Sequence, residues 1–96
     1  MTTKNSKHVI KRKKIVFRFE SPDAESVFLV GSFNNWDKTR HPMIKNGNGV
    51  WSKTVTLNQG TYQYKFLAGD KWLQDPGNEK VISNEFGTQN NIIDVK

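Results

Sequence analysis

Apolar and polar positions alternate along most of this chain with a period of two, the spacing of half-buried β-strands. Ile15, Phe17 and Phe19 alternate with Val16, Arg18 and Glu20, and Ser21-Pro22-Asp23 then supplies a turn. Glu25 to Ser32 reads as a second strand. Its Val27, Phe28, Leu29 and Val30 are apolar in succession, which predicts a central strand covered on both faces. Asn46-Gly47-Asn48-Gly49 is a turn cluster whose residues tolerate positive φ. Trp51, Val55 and Leu57 share one face of the next strand, with Ser52, Thr54 and Thr56 on the other. Asn58-Gln59-Gly60 turns the chain into a strand over Thr61–Ala68, Gly69-Asp70 makes a hairpin into Lys71–Gln74, and Ile92–Val95 closes the pattern. No window carries a helical period with caps. Short strands with turns at this spacing predict a single all-β domain, an antiparallel sandwich of immunoglobulin-like architecture.

Length and composition agree. Ninety-six residues hold one core. With no cysteine, disulfide staples and thiolate metal sites are excluded, and the fold rests on its own packing. No apolar run is long enough to span a bilayer, and Val9 and Ile10 are the early apolar residues, too few for a signal peptide. The expectation is a cytoplasmic protein with no membrane partner.

Charge divides the chain. Lys4, Lys7, Lys11, Arg12, Lys13 and Lys14 precede the first acidic residue, Glu20, and account for the whole net charge of +6. Of 15 basic residues, the nine that remain balance nine acidic ones. This predicts a basic, disordered leader over residues 1–13 and a near-neutral domain over 14–96. A domain without its own basic stripe is not expected to bind nucleic acid specifically, although the leader can touch polyanions.

Catalytic constellations are missing. His8 and His41 are not placed as a pair, and no nucleophile elbow or phosphate loop occurs. Asp23, Asp37, Asp70 and Asp75 stand in turns, where capping duty explains them, whereas glycosidases hold two carboxylates about 5–10 Å apart across a cleft. The expectation is no enzyme, no cofactor and no metal.

Binding is a better prospect. Gly31-Ser32-Phe33-Asn34-Asn35-Trp36-Asp37 sets an indole in a loop, where a large apolar face is costly to show to water. A second block reads Tyr64-Lys65-Phe66-Leu67-Ala68-Gly69-Asp70-Lys71-Trp72, followed by Asp75-Pro76, and a third reads Phe86-Gly87-Thr88-Gln89-Asn90-Asn91. A pyranose has a C–H-rich face and a rim of hydroxyls, so its receptor needs a flat ring for one and polar groups for the other. Trp36, Trp72, Lys65, Thr88 and Asn90 are of these types. Alternation sends Tyr62, Tyr64 and Phe66 to the core and Lys65 to the opposite face with Gln63 and Leu67. The residues also admit plainer roles: Trp36 as a plug on the sandwich end, Trp72 packed on Tyr64, Lys65 as a solvated strand lysine, Asn90 bonded to loop backbone. Trp51, on the apolar parity of its strand, reads as core, and Asn34 and Asn35 read as turn-formers.

Together the three blocks resemble carbohydrate-binding module family 48, which includes the glycogen-binding domain of AMP-activated protein kinase beta subunits and the early-set domain of branching and debranching enzymes. The resemblance covers about Lys14 to Lys96 and implies the same sandwich. It implies a non-catalytic module for α-1,4-linked glucans, with Trp36 and Trp72 stacking on sugars and Lys65, Thr88 and Asn90 bonding hydroxyls. Phe86 stands where the family's glycogen-binding form carries an apolar finger, often leucine. Family members usually sit beside a catalytic domain or a kinase-assembly region, so a module docking onto a protein partner is the alternative the resemblance leaves open.

Overall fold

In the computed structural model, which describes residues 11–96, eight strands form two antiparallel sheets. The expected leader lies outside the described residues except for its last three positions, and Arg12 and Lys13 of these are already paired with Asn58 and Leu57. Strand β1 (Arg12–Glu20) runs against β4 (Val50–Asn58), and β3 (Ile44–Lys45) lies on the other edge of β4. The second sheet has the order β2 (Val27–Gly31), β5 (Gly60–Ala68), β8 (Gln89–Val95), β7 (Val81–Ser83), with β6 (Lys71–Leu73) also on β5. One edge of β5 is taken by β2. The opposite edge is shared, its first half by β8 and its last three residues by β6.

The alternating residues meet between the sheets, as two inner faces of a sandwich must. Phe17 and Phe19 of β1 and Trp51, Val55 and Leu57 of β4 face Leu29, Tyr64, Phe66 and Val95. The Phe19 and Phe66 rings lie 4.7 Å apart and those of Phe17 and Tyr64 4.9 Å, the latter edge to face. Each such ring contributes about 1.5–3 kcal/mol on burial.

Three sequence expectations need amending. The apolar run of β2 is covered on both faces, with Leu29 and Val30 both fully buried, but the strand ends its sheet rather than lying in the middle. Its free edge is closed by the 41–43 segment: Leu29 N–H donates to His41 O at 2.9 Å and Met43 N–H to Val27 O at 2.8 Å. The strand is also shorter than Glu25–Ser32, because Ser32–Asn34 turns into a single 3-10 turn. Finally, β3 and β7 had no counterpart in the pattern. Among the described residues no helix is long and apolar enough to cross a membrane.

Candidate functional site

Cross-strand register assembles the site on the outer face of the five-stranded sheet. Lys65 lies opposite Val30, Leu67 opposite Trp72, Gln63 opposite Ile92, and Ile82 opposite Asn90. Paired residues point to the same side, so Gln63, Lys65, Trp72 and Asn90 rise from one surface. The Gly69-Asp70 turn, with Gly69 at φ 64°, folds β6 back and brings Trp72 over it.

Trp36 arrives from the other end of β2. Asn34 is buried and ties the loop: its Oδ1 accepts Gly31 N–H at 3.1 Å, and its Nδ2 donates to Leu29 O at 3.0 Å and to His41 Nδ1 at 2.8 Å. Asn35 and Trp36 both sit at φ 58°. Asparagine tolerates this region, but a bulky residue there costs about 1–3 kcal/mol and persists only where its surroundings hold it. Here Trp36 N–H donates to Gly31 O at 2.9 Å and Asp37 N–H to Asn34 O at 3.1 Å. The Asp37 carboxylate accepts the Thr39 amide and hydroxyl, which hold its pKa below the usual range. Lys38 reaches to within 5.9 Å of the Trp72 ring centre, so the loop that carries Trp36 lies beside β6.

The third contribution is the loop from β7 to β8. Lys65 is only 8% exposed, and its ammonium donates to Thr88 Oγ1 at 3.0 Å. It makes no ion pair among the described residues, where Lys80 and Asp94 form one at 2.7 Å. Asn90 is buried as well and bonds side chains, Asn84 and Gln63, rather than loop backbone. Phe86 projects at the loop tip, 82% exposed.

The six residues singled out in the sequence, Trp36, Lys65, Trp72, Phe86, Thr88 and Asn90, line one open groove of about 800 Å³. Trp36 is 37% and Trp72 40% exposed, so each indole keeps a substantial open face. Trp51 is 7% exposed, belongs to the core, and donates its Nε1–H to Ser21 O at 2.9 Å. Gln63, Asn84 and Glu85 complete the lining. Gln63 shares Lys65's parity, whereas Asn84 carried no signal beyond that of a loop asparagine.

Beneath the groove a polar cluster fixes the Asp75-Pro76 turn. Tyr64 OH donates to Asp75 Oδ2 at 2.7 Å, Asp75 N–H donates to Asn91 Oδ1 at 2.7 Å, and the fully buried Asn91 donates to Asn78 O. Burial pushes the Tyr64 hydroxyl well above its usual pKa, so it stays a donor. Among the described residues no group of three His, Cys, Asp or Glu is placed to hold a metal ion.

An open trough with two ring platforms and a polar floor suits a flat ligand that is apolar on its faces and hydroxylated at its rim. Comparison with known proteins decides the family: the one described as the glycogen recognition site of AMP-activated protein kinase matches residues 13–96. The chain belongs to this family. It is 40% identical over 92 residues to pig 5'-AMP-activated protein kinase subunit beta-1, covering 96% of this chain and 71% of the relative. It is 42% identical over 76 residues to the human beta-2 subunit, covering 79% of this chain and 27% of that subunit. Rat beta-1 is 38% identical over 92 residues, of which the chain spans 32%. As a member of the glycogen-recognition family, the chain is a carbohydrate-binding module.

Proposed function

We propose that this chain is a non-catalytic, cytoplasmic module that binds α-1,4-linked glucans such as glycogen, starch or maltodextrins through the groove on the five-stranded sheet. The carrying observation is that two half-open indoles and a buried lysine, without an ion pair among the described residues, share one trough in a member of the glycogen-recognition family. In this reading glucose C–H faces stack on Trp36 and Trp72, Phe86 closes the trough from the loop tip, and Lys65, Thr88 and Asn90 bond hydroxyls.

The magnitudes favour modest affinity. Two indole faces of roughly 100 Å² give about 2.5 kcal/mol each at ~25 cal/mol/Å², and each hydroxyl hydrogen bond adds about 1 kcal/mol. Association costs several kcal/mol in return. The expected Kd for maltoheptaose is between about 10 μM and about 1 mM, read from tryptophan fluorescence. Absence of binding at millimolar maltoheptaose and on glycogen would overturn the glucan assignment.

A protein partner is the second reading. The relatives are named as kinase subunits, and Val16 and Ile44 are exposed on the three-stranded sheet, away from the groove. Docking there predicts that Ile44→Asp disrupts the complex and spares glucan binding; loss of glucan binding instead would count against it.

A further inference from the structure

Asn84 lies one residue beyond β7, and all four hydrogen-bonding positions of its amide are used. Its Oδ1 accepts Phe86 N–H at 2.9 Å and Thr88 N–H at 3.1 Å. Its Nδ2 donates to Thr88 Oγ1 at 2.7 Å and to Asn90 Oδ1 at 2.9 Å. Backbone N–H groups can only donate, so the oxygen end of this amide has one possible orientation. Every bond downstream of it is then fixed in direction.

Thr88 Oγ1 accepts from the Asn84 amide and also from the Lys65 ammonium. A hydroxyl has two acceptor positions and one proton. With both acceptor positions filled, the proton is all that Thr88 has left to offer. Asn90 follows the same logic: its Oδ1 is taken by Asn84, so its Nδ2 donates to Gln63 Oε1 at 3.0 Å. That leaves Nε2 of Gln63, a residue of the groove lining, without a protein partner among the described residues.

We propose that Asn84 is a positioning residue that sets the hydrogen-bond polarity of the groove floor, so that Thr88 Oγ1–H, Gln63 Nε2 and the remaining Lys65 protons all donate and the ligand oxygens opposite them must accept. The ligand side of this proposal rests on the glucan reading. It specifies the ligand chemistry more narrowly: neutral sugar hydroxyls can turn to accept, whereas a protonated amino sugar offers only protons at the same place and is rejected. Asn84 thus touches the sugar chiefly through others.

The experiment has two arms. Without ligand, Asn84→Ala is expected to speed hydrogen exchange at the Phe86 and Thr88 amides at least about tenfold, with the Leu29 and Phe66 amides unchanged. Slow exchange of the Asn84 Nδ2 protons in the wild-type protein is expected too, and needs no variant; fast exchange there, or unchanged Phe86 and Thr88 rates in Asn84→Ala, overturns the proposal. With maltoheptaose, Asn84→Asp keeps an oxygen for the two amides but sets a carboxylate oxygen against Thr88 and Asn90. The Thr88 proton is then drawn inward, and affinity is expected to fall at least about tenfold at nearly unchanged melting temperature. Thr88→Val should weaken binding in the wild-type background and add little in the Asn84→Asp background. Additive losses overturn the polarity mechanism. A wild-type protein that ignores maltoheptaose counts against the glucan reading alone, and the ligand-free arm still decides the role of Asn84.

Discussion

Trp36→Ala and Trp72→Ala each remove one ring from the groove, and each is expected to weaken maltoheptaose binding at least about tenfold, or ~1.4 kcal/mol. Both variants should melt close to wild type, since both rings are partly exposed and neither belongs to the core. Trp51→Ala is the contrast: it empties a core site and leaves the Ser21 carbonyl with the Ala24 N–H as its one remaining donor among the described residues, for an expected loss of about 3–5 kcal/mol. A Trp36 or Trp72 variant that melts as early as the Trp51 variant would show that ring to be packing. At this scale the sequence was most informative where strand parity applied. The alternation of Tyr62, Tyr64 and Phe66 put Lys65 on the outer face with Gln63, where the fold has it. Asn84 was illegible for a physical reason. Its role depends on bonds to residues two, four and six positions later that meet only once the loop is closed, and an asparagine in such a loop reads as a turn-former whatever else it does.

Gly31 joins the end of β2 to the Trp36 loop, and here a missing side chain matters more than backbone freedom. A Cβ on Gly31 would lie 2.5 Å from Gln63 O and 2.9 Å from Tyr64 Cβ, with extended φ. Backbone on the neighbouring strand cannot yield cheaply, so Gly31→Ala is expected to cost about 1–3 kcal/mol and to weaken glucan binding by shifting the loop that holds Trp36. Gly47→Ala, with open space around its Cβ, is the control and should do neither. The same loop carries a pH dependence. Because the oxygen of Asn34 accepts Gly31 N–H, its nitrogen faces His41, whose Nδ1 must accept and therefore be unprotonated. Burial, aided by Lys53 and Arg40, pushes the His41 pKa below the usual imidazole range of about 6.5. The stability contributed is thus present above about pH 6.5 and is lost as pH falls through the unfolded and then the lowered folded value. Melting temperature should drop between about pH 7 and pH 5, and His41→Gln should flatten that drop; an equal drop in the variant would remove His41 as its cause. Among the strands, those of five residues or more were readable from alternation or from an unbroken apolar run. β3 and β7, of two and three residues, are too short to show a period, and their exposed Ile44 and Ile82 gave no core signal. The position of β2 at the end of its sheet was also hidden, because the 41–43 segment covers its edge as another strand would.

Over the whole molecule, charge and function separate. The formal charge of +6 equals the contribution of the six basic residues ahead of Ile15, while the groove holds one ammonium, Lys65, and one carboxylate, Glu85. A glucan is neutral, so its affinity for the groove should stay flat between low and moderate salt, whereas a polyanion held by the basic residues would be released steeply. Lys65→Ala should reduce glucan affinity and leave it equally flat, because the lost bonds run to hydroxyls. Removing Met1–Ile10 takes away Lys4 and Lys7 and lowers the formal charge from +6 to +4. Strand β1, which starts at Arg12, stays whole, as does the bond from Gln59 N–H to Lys11 O. Retention on a heparin column should therefore fall, with maltoheptaose affinity and melting temperature close to those of the full chain. If the shortened protein lost its glucan binding, the first ten residues would have to belong to the site. Steep release of maltoheptaose by salt would point the same way, toward binding carried by charge, and against an array of ring faces and neutral hydrogen bonds.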